Sequence, residues 1–220
     1  MSYFARVPEV EPLSRSFFAR DVLEVAPALL GCLLVNAGVT LRLTEVEAYA
    51  GEKGDPGSHA FRGQTPRTAV MFGPAGHLYV YFTYGMHFCA NVVTGSEGFA
   101  SAVLLRAGEV VDGHDLAAAR RPGIRERDWA RGPARLTVTM GLGRPDNGAD
   151  LCGPAAQPRI LAPLTPIDPA TIRTGPRVGV SGPGGDGTAY PWRFWLDGEP
   201  TVSAYRPGVV RTRRPNAKKA

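Results

Sequence analysis

Two glutamates in the first long strand-like segment have the clearest chemical potential in the sequence. Segment 41–49 alternates apolar and polar residues, which predicts a β-strand. Strict alternation places Glu45, Glu47 and Tyr49 on the same face as Leu41 and Leu43. A carboxylate on an otherwise apolar face is costly unless it is paired or lines a cavity. Glu47 is therefore either the buried partner of an arginine or a general base that activates water, and Glu45 competes for both roles.

Aromatic residues near these glutamates suggest a pocket for a planar ring. Tyr79 and Tyr81 share one face of a second strand-like segment, and Tyr49 follows Glu47 closely. The alternative is ordinary core packing with satisfied hydroxyl groups. His59 lies in a polar loop, where a lone histidine is usually a surface residue.

Two polar residues interrupt strands that are otherwise apolar. Asn91 lies in the middle of a strand, where asparagine is disfavoured, so we expect it to make a specific hydrogen bond. If the preceding turn comprises residues 84–86, Asn91 lies opposite Tyr79 and faces the same side. Arg106 interrupts the apolar segment 101–110, which predicts a buried ion pair with a glutamate such as Glu47.

The turn between the second and third of these strands has an unusual composition. Turns usually carry Gly, Asn, Asp, Pro or Ser, but here Tyr84 and Met86 flank Gly85. Exposing two such side chains at a hairpin tip has no evident benefit for folding. The pattern suggests that the hairpin tip acts as a hydrophobic wedge.

The remaining pattern predicts an α+β protein. We expect a single domain at 14–208, with a curved, mostly antiparallel sheet, flanking helices and a protruding β-hairpin at 78–93. Segments 177–182 and 190–198 are predicted to be late strands of the sheet. Residues 1–13 are predicted to form a flexible arm, and residues 209–220 a basic tail.

Composition favours a folded protein with an anionic partner. The formal charge is +5, and lysine occurs only at positions 53, 218 and 219, so arginine dominates and suits bidentate contacts to phosphate. Six arginines lie within 120–135, which form either a solvated helix face or a phosphate-contacting surface. The three cysteines contain no CxxC pair, so we expect no metal site and a reducing, cytoplasmic compartment. No apolar run is long enough to span a bilayer, and no membrane association is expected.

Several long motifs, in order, resemble the alkyladenine (3-methyladenine) DNA glycosylase family. They are TEVEAY, GQTPR, LYVYFTYGMHFCAN, VLLRAGEV, ARGPARLTVTMGL, PRVGVSG and PWRFW. The opening segment FFARDVLEVAPALLGCLLV is also similar to the family's first helix and strand. The resemblance extends from about residue 13 to residue 205. It implies an enzyme that flips a damaged purine nucleotide out of duplex DNA and hydrolyses its N-glycosidic bond.

The resemblance also implies roles for individual residues. Glu47 would be the general base for the attacking water, and Arg106 would help to hold the water and the phosphate of the nucleotide. Tyr49, His59 and Tyr81 would sandwich the flipped base. Asn91 would lie near the 2-position of the purine and disfavour the amino group of normal guanine. Tyr84 would be the wedge that fills the gap in the base stack, with Met86 beside it.

The expected enzyme is monomeric and monofunctional, and requires no metal or cofactor. Strand cleavage by a glycosylase usually needs an amine that forms a Schiff base, and no lysine lies in a matched active-site motif. A general acid for neutral bases is not assigned, although His59 is one candidate. Two rivals stay open: a non-catalytic binder of damaged DNA and a hydrolase of free nucleosides.

Overall fold

Two long antiparallel strands, each of eleven residues, form the middle of the fold. The computed structural model describes residues 11–51, 54–83 and 85–209. Within these residues the strands are β1 to β8: Leu33–Asn36, Val39–Tyr49, Leu78–Thr83, His87–Val93, Ala102–Asp112, Arg159–Leu161, Ile172–Gly175 and Arg193–Leu196. The α-helices are α1 to α4: Arg15–Phe18, Val22–Ala28, His114–Arg120 and Pro133–Met140. Short 3₁₀ turns lie at Ala69–Phe72, Glu126–Asp128, Arg144–Asp146, Pro169–Thr171 and Pro183–Gly185.

The strands form one antiparallel sheet. Its main path runs β3-β4-β5-β2-β1-β6, and β8 pairs with both β2 and β7. Strand β2 therefore lies at the centre, with β5 along one edge and β1 followed by β8 along the other. A single domain with a large antiparallel sheet and a few helices confirms the predicted α+β class.

Local sequence signals explain the two helices that cover the sheet. Helix α2 begins after Asp21, whose side chain accepts a hydrogen bond from the backbone N–H of Leu23. Helix α4 begins with Pro133, whose missing N–H is not needed there, and it ends at Gly141 in the left-handed conformation. Their apolar residues pack with one face of β2, β5 and β8 in the main hydrophobic core. No α-helix within the described ranges has the length and hydropathy to cross a membrane.

The residues that share a face of β2 differ from those that strict alternation predicts. Leu43 pairs with Gly108 and Glu45 pairs with Ala107, so Thr44 is an extra residue on β2. The next pair joins Val46 to Leu105, which makes Arg106 an extra residue on β5. The prediction that Leu41 and Leu43 share a face with Glu45, Glu47 and Tyr49 was therefore wrong. A β-bulge reverses the side on which later residues point, so Leu41, Leu43, Val46 and Ala48 lie in the core.

The hairpin has the predicted register. Thr83 pairs with His87, which leaves a three-residue loop, and Tyr79 pairs with Asn91. Gly85 has φ of 67°, a conformation that glycine adopts without strain. Tyr84, the predicted wedge, lies outside the described residues. Met86 is 69% exposed, as expected for a side chain at a hairpin tip.

One predicted late strand is absent from its predicted place. Residues 177–182 form a loop, while the strand that pairs with β8 lies just before them at β7. The segment is rich in glycine, and Gly179 and Gly182 have positive φ, so its backbone cannot continue a strand. The predicted arm at 1–13 and tail at 209–220 fall mostly outside the described residues, although the N–H of Leu13 donates to the carbonyl of Ile160.

We expect Gly108→Ala to lower the free energy of unfolding by about 2 kcal/mol. A methyl group at Gly108 would lie 2.5 Å from the carbonyl oxygen of Arg42 and would clash with Cδ2 of Leu41, in the strand pairing beside the bulge. Urea unfolding followed by circular dichroism measures the effect. Gly153→Ala is the control, because nothing lies within 4 Å of its added methyl group. Equal stability of the two variants would contradict the tight packing at the bulge.

Candidate active site

A row of side chains crosses the sheet on the face opposite the main core. Tyr79 pairs with Asn91, Asn91 pairs with Leu104, and Leu104 pairs with Glu47. Laterally paired residues of antiparallel strands point to the same side of a sheet. The row therefore spans four strands and brings together a tyrosine, an amide and a carboxylate from three of them.

Two carboxylates and two arginines form a buried network at the end of this row. Arg106 Nε donates to Glu45 Oε1 at 3.0 Å, and Arg106 Nη1 donates to Glu47 Oε2 at 3.3 Å. Arg193 Nε donates to Glu45 Oε1 at 2.7 Å. Burial alone would lower the pKa of Arg106, but the Glu47 and Glu45 carboxylates raise it above its ordinary value. The predicted ion pair between Arg106 and a glutamate is present, and it joins both glutamates.

The two glutamates have different hydrogen-bonding environments. Glu45 accepts four hydrogen bonds from the described residues: one each from Arg106 and Arg193, and two from the backbone N–H and Oγ of Ser203. A carboxylate has about four lone-pair sites, so Glu45 is saturated and serves the fold.

Glu47 keeps spare accepting capacity. Among the described residues it accepts from three donors: Tyr49 Oη at 2.8 Å, Arg106 Nη1 at 3.3 Å and the backbone N–H of Val178 at 2.7 Å. Tyr49 and Arg106 share Oε2, whereas Val178 alone contacts Oε1. Burial and the Glu47 carboxylate raise the pKa of Tyr49 well above its ordinary value, so its hydroxyl remains a donor.

A cavity of about 550 Å³ lies over this network. Tyr49, Arg106 and Val178, the three hydrogen-bond donors of Glu47, all line it, while Glu47 itself is fully buried beneath them. The predicted site residues that line the cavity are Tyr49, His59, Tyr81, Asn91 and Arg106. The volume is comparable to that of small-molecule pockets and exceeds the size of a nucleobase.

Aromatic rings form one wall of the cavity. The rings of His59 and Tyr81 pack edge to face with centroids 4.6 Å apart, and Tyr79 lies 5.5 Å from Tyr81. His59 stands at the rim, where part of its surface is exposed. Burial of the ring and the positive charge of Arg67 lower the pKa of His59 to about 4, so the imidazole is neutral at neutral pH.

Polar groups in the cavity are held in fixed positions. Asn91 is buried, and its Nδ2 donates to the carbonyl of Tyr79 at 3.0 Å, as the expectation of a specific hydrogen bond required. Cys89 also lines the cavity, and burial raises the pKa of its thiol, so it stays uncharged at neutral pH. Within the described ranges, no three His, Cys, Asp or Glu side chains group together as metal ligands would.

A second, cationic cleft adjoins the cavity. It measures about 350 Å³ and shares Arg106 and Val178 with the cavity. Its other lining residues include three further arginines, namely Arg131, Arg135 and Arg206. The start of helix α4, whose N–H groups carry partial positive charge, also lines it. The cleft therefore offers a concentration of positive charge directly beside the cavity.

The six arginines of segment 120–135 are not equivalent. Arg120 donates to the carbonyls of Thr139 and Ala37 and so holds the end of helix α4. Three others lie within ion-pair distance of Asp128, namely Arg125, Arg127 and Arg131. Arg121 and Arg135 form no ion pair with the described residues, and Arg135 is exposed at the cleft.

Sequence reasoning missed three residues that organise the site. Val178 supplies a backbone donor to Glu47, and backbone contacts leave no signature in side-chain chemistry. Asp55 and Arg177 form a fully buried ion pair beneath Tyr49. The DPG segment at 55–57 is typical of an aspartate that caps a turn, and Asp55 indeed accepts from the backbone N–H of Gly57. Neither the sequence around Asp55 nor the sequence around Arg177 reveals that the two residues contact each other.

Comparison with known proteins identifies a single family. The family model "Methylpurine-DNA glycosylase (MPG)" matches residues 16–200. A protein of Streptomyces avermitilis named "Putative 3-methyladenine DNA glycosylase" is 54% identical over 212 residues, covering 94% of this chain and 98% of its own. A protein of the same name from Leifsonia xyli is 55% identical over 201 residues, covering 87% of this chain and 92% of its own.

We expect Glu45→Gln to destabilise the protein by about 3 kcal/mol, and Glu47→Gln by about 1 kcal/mol. Removing the Glu45 charge leaves the buried Arg193 without its carboxylate, whereas Glu47→Gln leaves both Arg106 and Arg193 paired with Glu45. Urea unfolding of both variants measures the difference. A larger loss from Glu47→Gln than from Glu45→Gln would contradict the assignment of Glu45 as the structural carboxylate.

Proposed function

The chain belongs to the methylpurine-DNA glycosylase family, and from this premise we propose that it removes alkylated or deaminated purines from duplex DNA through a water activated by Glu47. It is a DNA glycosylase, a hydrolase of N-glycosyl bonds that acts in DNA repair. The proposed substrate is a purine nucleotide flipped out of the duplex into the cavity. The product is an abasic site.

The placement of Glu47 carries the proposal. Its carboxylate lies directly beneath a base-sized cavity, hydrogen-bonded to three residues that line it. Oε1 has the spare accepting capacity that a water molecule would use. A bound water there would donate one proton to Glu47 while its oxygen attacks C1′ of the sugar, and the C1′–N bond would break so that the purine leaves with the bonding electrons. Arg106 pairs with Glu47 and would contact the same water.

The cavity walls suit a stacked purine. His59 and Tyr81 contact each other, so a base would not lie between them and would instead rest against both. Tyr49, which comes from a different strand, would cover the opposite face. Alkylation at N3 or N7 makes a purine cationic, and a cation stacks more strongly on tyrosine rings. The neutral imidazole of His59 adds no repulsion to such a base.

Selection against normal bases would rely on Asn91. Because its Nδ2 is held by the carbonyl of Tyr79, the side chain is a fixed obstacle in the cavity. The exocyclic amine of guanine would meet this obstacle, whereas adenine and hypoxanthine carry no amine at that position. The low pKa of His59 favours a stacking role for this residue over the role of general acid.

The hairpin would act on the duplex itself. Flipping a base leaves a gap whose unstacking costs a few kcal/mol, and an apolar wedge offsets part of this cost. Met86 and Phe82 are exposed near the tip, and Tyr84 lies between them in sequence. Thr83 and His87, at the base of the tip, line the cavity, so a wedge here would enter beside the flipped nucleotide.

We further propose a monomeric enzyme that hydrolyses the bond without cutting the strand. Strand cleavage would need an amine for a Schiff base. The described residues contain no lysine, since Lys53, Lys218 and Lys219 all lie outside them. Hydrolysis by water is the chemistry that the residues lining the cavity support.

We expect Glu47→Gln to lower the rate of base release at least about a hundredfold, because it removes the general base. The measurement is single-turnover cleavage of a duplex with one hypoxanthine, with abasic sites scored by alkaline cleavage. Glu97→Gln, an exposed change in the loop after β4, is the matched control and should keep the wild-type rate. Wild-type activity in Glu47→Gln would refute the mechanism. Binding of every lesion without turnover, even by the wild type, would favour the non-catalytic rival.

We expect Arg135→Ala to weaken duplex binding and to reduce the slope of log K against log salt by about 1, because one phosphate contact is lost. Arg173→Ala is the matched control, since Arg173 is exposed, forms an ion pair with Asp197 and does not line the cleft. Fluorescence anisotropy with an undamaged duplex measures both slopes, at salt concentrations from about 50 to about 300 mM. Identical slopes for Arg135→Ala and the wild type would exclude Arg135 as a phosphate contact.

A further inference from the structure

A buried ion pair stands behind the ring of Tyr49. Arg177 donates to both carboxylate oxygens of Asp55, at 2.8 and 2.7 Å, and both side chains are fully buried. The Arg177 guanidinium carbon lies 4.3 Å from the centroid of the Tyr49 ring. Arg177 does not line the cavity but Tyr49 does, so the Tyr49 ring separates the guanidinium from the cavity.

The same ion pair joins two loops beside the cavity, the first containing Asp55 and the second containing Arg177. Asp55 also accepts from the backbone N–H groups of Ala50 and Gly57, and Arg177 Nη1 donates to the carbonyl of Gly184. The first loop leads to His59, and the second contains the Val178 N–H that holds Glu47. The two loops are in close contact, because a Cβ at Gly57 would clash with Arg177 Nη1.

The position of this pair has an electrostatic consequence for a bound base. A base stacked on the open face of Tyr49 would lie roughly 8 Å from the guanidinium, since a stacking distance of about 3.5 Å adds to the observed 4.3 Å. A lone cation at that distance, in a buried setting, would oppose a positively charged base. Asp55, bonded to Arg177 on both oxygens, cancels that charge.

We propose that Asp55 and Arg177 are positioning residues that keep the stacking face of Tyr49 electrically neutral, so that the site accepts both cationic alkylated purines and neutral deaminated purines. The proposal rests on the proposed function. Asp55 and Arg177 act through Tyr49 and contact no substrate. Two opposite charges at one buried point therefore set the balance between the two classes of substrate.

Two single substitutions should shift that balance in opposite directions. Asp55→Asn leaves the Arg177 cation without its partner, and we expect the rate ratio of 3-methyladenine to hypoxanthine to fall on the order of tenfold. Arg177→Gln leaves the Asp55 carboxylate with its backbone donors at Ala50 and Gly57 but without its cation, and we expect the ratio to rise. The double variant Asp55→Asn with Arg177→Gln has neither charge and should return to the wild-type ratio.

The experiment measures single-turnover rates on two duplexes that differ only in the lesion, one 3-methyladenine and one hypoxanthine. Asp197→Asn, which breaks an exposed ion pair with Arg173, is the matched control and should leave the ratio unchanged. Thermal melting of each variant separates loss of folding from loss of selectivity.

The possible outcomes are distinct. Opposite shifts in the single variants and a restored ratio in the double variant support the proposal. Equal loss on both lesions in each single variant would show only a structural brace and would overturn it. If one single variant does not fold, the other decides, because a shift in its predicted direction supports the proposal and an unchanged ratio overturns it. If the wild type releases neither base, the proposed function itself fails.

Discussion

Burying Glu45 and Glu47 side by side in a β-sheet is the constraint on which the rest of this structure depends. An unpaired buried charge is very costly, so each carboxylate requires donors within reach. Arg106 bridges the two glutamates, and Arg193 adds a second positive charge beside Glu45. These arginines lie on strands β5 and β8, which flank β2 on both sides. The central position of β2 in the sheet and the charge balance of the site are therefore linked.

This arrangement divides the work between the two carboxylates. Glu45 is saturated by side-chain and backbone donors, so it anchors the sheet to the segment around Ser203. Glu47 has the same burial but fewer donors, and all three line the cavity. The ion pair with Arg106 is present, and it is compatible with the role of general base proposed for Glu47, because Arg106 contacts only one of the two carboxylate oxygens.

Much of the fold and the set of cavity residues could be predicted from the sequence. The register of the hairpin follows from its three-residue turn, and this places Asn91 opposite Tyr79. The face of Glu47 could not be predicted, because it depends on extra residues at Thr44 and Arg106, and a bulge leaves the local alternation almost unchanged. Strand propensity also failed at 177–182, where valines indicate a strand but glycines at positive φ form a loop.

The contacts between distant loops could not be predicted either. Asp55 and Arg177 are separated by more than a hundred residues, and neither occurs in a motif that names its partner. The conformation of a long loop depends on what it packs against, so the contacts of its residues are set only once the sheet has formed. The same holds for Val178, whose contribution comes from its backbone N–H.

The layout of charge around the cavity argues for a polymer as substrate. A free nucleoside would need only the aromatic walls and Glu47. Here the cavity is bordered on one side by the exposed hairpin and on another by a cleft with several arginines. Exposed apolar residues at a turn favour contact with a partner, and exposed arginines such as Arg135 attract anionic partners. A DNA duplex satisfies both at once, because its base stack accepts an apolar wedge and its phosphates accept the arginines. The two features therefore support base excision from duplex DNA over hydrolysis of free nucleosides.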